Sequence, residues 1–185
     1  MAEHPASAAV QVAACSIMTT HSVNMYHNNT TTDVSLVVNT LDPFLETLRR
    51  HPDDTEVQGA VIRTLAQFVR VVRTAGGVLS GVTDGPEFDV LCAVIKPISD
   101  ADGLVLVMRA LRKYQSATIV RSMACWLLAM LCTDAGVTAI VTTTGVPELA
   151  LASLTHKHDE AHCRYTDALL LGTILAKPAG FHGHW

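Results

Sequence analysis

Residues 123–132 read MACWLLAMLC, ten positions with no charge and no turn former. As a membrane span the run is too short. Arg121 and Asp134 bracket 12 uncharged residues, where a span needs ~20. As a helix it is apolar around most of its circumference, which suits a helix packed on several sides by others. The residue that needs explaining is Trp126, because an indole in such a run is either core packing or one wall of a binding groove.

The same pattern recurs along the chain. VQVAACSIM (10–18) aligns with VQGAVIRTL (57–65) at an offset of 47, placing Val10 over Val57 and Gln11 over Gln58. The second stretch aligns with VRSMACWLLAML (120–131) at 63, and the third with RYTDALLLGTIL (164–175) at 44. Each is a long helix by its apolar spacing. Leu-rich medium helices precede three of them: LDPFLETLRRH (41–51), DGLVLVMRALRKY (102–114) and VPELALASLTH (146–156). Asp42-Pro43 predicts a helix start, with Asp as cap and Pro in the first turn. Asp100 or Asp102 caps the second medium helix, and Pro147 opens the third. Among the long helices, Asp53-Asp54-Thr55-Glu56 resembles a capping box, and Ser116 precedes the third. Short helices fit before each pair, at 33–38, 86–98 and 134–143. Residues 24–32 and 74–85, rich in Asn, Thr and Gly, read as loops.

Composition agrees with a helical, aliphatic core. The chain has 185 residues, of which 49% are hydrophobic, 16% charged and 5% aromatic, too apolar for a disordered chain. The net charge of −4 offers no basic excess for nucleic acid. The opening MAEHPASAAV lacks the basic and apolar regions of a secretory signal. Five cysteines occur without a CxxC pair, which reads as reduced, buried thiols in a cytoplasmic protein.

Helical triplets spaced by roughly 40–47 residues are the pattern of armadillo and HEAT solenoids. Gly145-Val146-Pro147-Glu148-Leu149 looks like the G(I/V)P-x-L that opens the second helix of an armadillo repeat, and residues 124–132 resemble the AAWALxNIA of a third helix. This resemblance implies an all-α, right-handed α-solenoid of about three three-helix repeats plus a leading helix. It would form one domain over 1–176, with the leading helix about 5–23, repeats about 33–75, 86–133 and 134–176, and a tail at 177–185. Both armadillo and HEAT labels fit.

In armadillo proteins that bind extended peptides, third helices line a concave groove. Nuclear-import adaptors of the karyopherin alpha type place Trp there, with Asn four residues on. Trp126 matches the Trp, but Met130 stands in place of Asn. The equivalent pairs are Ser16/Thr20, Arg63/Gln67 and Leu170/Ile174. The Trp/Asn ladder is therefore absent, which argues against an import-signal receptor. What the resemblance leaves is a mixed groove lining of Arg63, Gln67, Arg70, Trp126 and Met130. The competing readings are a core Trp126 and a merely solvated Arg63/Gln67/Arg70 face.

Catalytic patterns are missing. No GxSxG, Walker A or HExxH occurs. Gly76-Gly77-Val78-Leu79-Ser80-Gly81 lacks the Lys-Ser/Thr that grips a phosphate. The run HKHDEAHC supplies His156, His158, His162 and Cys163, with His158 and His162 at i, i+4. Metal use by this cluster is the third reading, and no metal or cofactor is expected. The expectation is a non-enzymatic scaffold or adaptor that takes a protein or peptide partner, acidic where it meets the arginines, and neither nucleic acid nor membrane. The second reading is a structural subunit of a cytoskeletal or ciliary assembly, self-associating or docked through uncapped solenoid ends.

Overall fold

The computed structural model describes residues 7–27, 34–75, 95–132, 135–155 and 161–176. Among these residues the structure is all-helical and contains no strand. The helices are α1 (Ala8–His27), α2 (Val34–Arg50), α3 (Thr55–Ala75), α4 (Ala101–Lys113), α5 (Thr118–Leu131), α6 (Ala135–Thr143), α7 (Val146–Thr155) and α8 (Ala161–Leu175). A helical turn at 95–99 precedes α4. The expected loop residues 28–32 and 76–85, the stretch 86–94 with Cys92, the pair His156 and His158, and the tail 177–185 lie outside the described residues.

The chain falls into two compact units, 1–106 and 107–185, with the boundary inside α4. In the first, α1 packs along α3, and α2 packs on α3 as well. Leu41, Phe44, Leu45 and Leu48 of α2 and Ile62, Leu65, Phe68 and Val69 of α3 are buried. Phe44 and Phe68 meet edge to face at 5.7 Å, a favoured aromatic geometry. Buried amides and hydroxyls fix how these helices meet. Gln58 Nε2 donates to the carbonyls of Leu48 (3.0 Å) and His51 (2.9 Å), tying the end of α2 to the start of α3. Thr47 Oγ1 lies 3.2 Å from Gln11 Oε1. Thr64 Oγ1 lies 3.2 Å from the Cys15 carbonyl and 2.9 Å from Thr19 Oγ1. Gln11 and Gln58, which the sequence aligns, are thus both buried and both bonded.

Three local expectations need correction. Asp42-Pro43 does not start a helix, because α2 runs through it with Pro43 inside. Proline removes one backbone hydrogen bond there, but the buried face of Leu41, Phe44, Leu45 and Leu48 continues across it. Ser116 does not cap α5: the cap position is Ala117, in extended backbone and without a side-chain cap bond. The leading helix continues to His27 and takes in residues 24–27, which read as loop. Other starts behave as expected. Asp54 Oδ1 accepts the N–H groups of Glu56 and Val57, each at 3.0 Å. Asp100, not Asp102, caps α4, accepting the Gly103 N–H at 2.8 Å. Gly103 is required at this point, because a Cβ there would lie 2.5 Å from the Ile98 carbonyl oxygen.

In the second unit α5 packs along α8, α7 packs on α8, and α6 touches both α5 and α7. Val120, Ala124, Leu127, Leu128, Val141, Val146 and Leu170 are buried. Gly145 makes the turn between α6 and α7 with φ of 75°, a left-handed backbone that suits glycine. The Arg112 guanidinium donates to the Thr144 carbonyl beside that turn. The helices α6, α7 and α8 lie where the sequence places a short, medium and long triplet.

Candidate partner-binding faces

Arg63, Gln67 and Arg70 follow one another at helical spacing on α3, and they form its least buried stripe. Residues Val61, Ile62, Thr64, Leu65, Ala66, Phe68 and Val69 around them are all buried. Arg63 is exposed, while Gln67, Arg70 and Arg73 are half-buried. Beyond Glu56 no acidic residue occurs in α3, so this stripe is positive. Burial lowers the pKa of Arg73 from its usual value, though a guanidinium keeps its charge at any physiological pH. Gln67 Oε1 is enclosed with no hydrogen-bond donor among the described residues. A buried acceptor left over in this way is uncommon.

On α5 the least buried stripe is Ile119, Met123, Trp126 and Met130. The spacing of i, i+4, i+7 and i+11 keeps all four on one side of the helix. Ile119 is exposed and the other three are half-buried, whereas Cys125, Leu127, Leu128 and Ala129 beside them are buried. Trp126 is therefore not among the enclosed side chains that form the core. Trp126 and Met130 share a face, as their spacing predicts. Ile119 and Met123 extend that face, and the sequence signal for them is the same heptad spacing read backwards from Trp126.

The other expected pairs fare differently. Ser16 and Thr20 are exposed on α1, each hydroxyl donating to the carbonyl four residues back. Leu170 is fully buried against the rest of its unit, so it does not lie on the partly exposed face of α8. An offset of 43 between α5 and α8, not 44, brings buried over buried: Val120 over Cys163, Ala124 over Asp167 and Leu127 over Leu170. The true counterparts of Trp126 and Met130 are then Leu169 and Thr173, both half-buried.

Sequence reasoning missed a polar cluster beneath α5. Asp167 is 0% exposed, and its carboxylate lies 3.8 Å from Arg121 Nε. Cys125 stands beside the same carboxylate, and burial, with the Asp167 charge second, pushes its thiol pKa far above the usual range. Cys163 Sγ lies 3.6 Å from the Thr118 carbonyl. The available signal was an aspartate inside the otherwise apolar face of α8. Of the histidine cluster, His162 is exposed and Cys163 next to it is buried, so the two face different surroundings. Among the described residues no group of three His, Cys, Asp or Glu side chains could hold a metal ion. No described helix is long and apolar enough to cross a membrane. Compared with known proteins, the chain matches no family model, no curated protein and no solved structure.

Proposed function

We propose that this chain is a non-enzymatic interaction scaffold, an armadillo-like right-handed α-solenoid that holds an extended segment of a partner protein along its long helices. The observation that carries the reading is the stripe Ile119, Met123, Trp126 and Met130, apolar yet only partly covered. Trp and Met side chains that keep part of their surface in water suit a surface that packs a partner's apolar stems. The α3 stripe adds the complementary chemistry. Arg63 and Arg70 attract carboxylates.

Selection from a displayed library of random peptides tests this, since it lets the protein choose its own ligand. Peptides enriched on the protein carry apolar side chains interspersed with Asp or Glu. Trp126→Ala and Arg63→Glu each weaken an enriched peptide about tenfold or more, which is about 1.4 kcal/mol, while circular dichroism stays that of the parent. Enriched peptides that bind both folded variants as tightly as the parent contradict the reading.

A further inference from the structure

The register that relates the long helices also sorts their faces. Position by position, Val10 of α1 corresponds to Val57 of α3, Val120 of α5 and Cys163 of α8, and Ile17 corresponds to Thr64, Leu127 and Leu170. In α3, α5 and α8 all six of these residues are buried. Two of them are seen meeting the long helix before them in their own unit: Thr64 bonds to the Cys15 carbonyl of α1, and Cys163 to the Thr118 carbonyl of α5. Within each unit, this is the face the second long helix turns toward the first. In α1 the same positions are uncovered, with Ile17 68% exposed.

The opposite face behaves in the same way. Cys15 of α1 corresponds to Cys125 of α5 and to Ala168 of α8. Cys15 is buried where α1 receives α3, and Cys125 is buried where α5 receives α8. Ala168 is exposed. Beside it stand Tyr165, 64% exposed, and Gly172, where an added Cβ would meet nothing within 4 Å. So α1 displays the face that α3 and α8 each bury against the long helix before them in their unit, and α8 displays the face with which α1 and α5 receive the long helix after them.

These two faces are complementary in kind, and they belong to one chain. We infer that a second copy of this chain docks its α1 face, Val10 and Ile17, onto the α8 face of the first, Tyr165, Ala168 and Gly172. The branched Ile17 side chain meets the space over Ala168 and Gly172, as larger side chains do over small ones where helices pack closely. The contact is heterologous, since each copy contributes a different surface. It uses neither the α3 nor the α5 stripe, so it stands or falls apart from the proposed peptide binding.

The test is the mass of the protein in solution, by sedimentation equilibrium over a concentration series. The parent chain gains mass with concentration. Ile17→Asp and Tyr165→Asp, at exposed positions, each stay monomeric alone. Mixed together they form a pair, because one retains the α8 face and the other the α1 face. Trp126→Ala associates like the parent. Should circular dichroism show either charged variant misfolded, Ile17→Ser and Gly172→Leu replace them; the latter adds a side chain into open space and favours helix. A parent that remains monomeric overturns the inference. So does either single variant that still self-associates, the mark of an α1–α1 or α8–α8 contact. A mixture that stays monomeric overturns it as well.

Discussion

The two long-helix seams solve one packing problem with different chemistry. Between α1 and α3 the polar groups that meet are neutral: Thr19, Thr64 and the Cys15 carbonyl meet at 2.9 and 3.2 Å. Between α5 and α8 a fully buried carboxylate, Asp167, faces Arg121 at 3.8 Å with Cys125 beside it. A hydroxyl loses little on leaving water when it regains one hydrogen bond. A carboxylate loses far more, and it is tolerated only with its partners in place. The neutral seam is therefore forgiving of substitution and the charged seam is not.

The largest contrast follows from that difference. Asp167→Ala leaves Arg121 without its buried partner and costs about 3–5 kcal/mol of unfolding free energy. Thr64→Val, in the other seam, costs about 1 kcal/mol. Urea denaturation of both variants checks the pair, and equal losses would break the distinction between the seams. Two glycines give the next contrast. Gly103→Ala drives a methyl into the backbone at Pro97 and Ile98 and destabilises by about 1–3 kcal/mol. Gly172→Ala has open space around it and stabilises the monomer by about 0.5–1 kcal/mol through helix propensity. Thermal melts of the two variants should move in opposite directions.

The thiols sharpen the comparison with a smaller effect. Burial raises Cys15 to about 11, and Cys125, more deeply enclosed and beside the Asp167 charge, rises further. The folded chain thus disfavours thiolates that the unfolded chain forms above its ordinary value of 9.0. Stability from these groups is complete below that pH and is lost as pH rises through the folded values. Alkylation at pH 8, located by mass spectrometry, should spare Cys15 and Cys125 in the native protein, label both in urea, and reach Cys15 first as pH is raised.

Much of this is legible in the residues. Helical periodicity locates the long helices, because burial on one side enforces the 3.6-residue spacing whatever the tertiary detail. It also places Arg63, Gln67 and Arg70 on one face, and Trp126 with Met130. The failures have local causes. Asp42-Pro43 carries a strong start signal, yet burial of Leu41 and Phe44 on either side keeps α2 continuous. The last long helix, α8, aligns one residue out by sequence because LLL at 169–171 is uniform, and only burial distinguishes Leu170 from its neighbours. The Arg121–Asp167 pair joins two helices 46 residues apart in sequence, a separation that no local pattern reports.

The most direct test of the account is the unfolding free energy of Trp126→Ala set beside that of Leu127→Ala. The two residues are neighbours on α5, one half-buried and one fully buried. If the Trp126 stripe is a face held open for a partner, Leu127→Ala costs about 2–5 kcal/mol, and Trp126→Ala, whose indole keeps part of its area in water, costs about 2 kcal/mol. A loss of about 3 kcal/mol or more at Trp126 would return the tryptophan to the core and contradict the binding face.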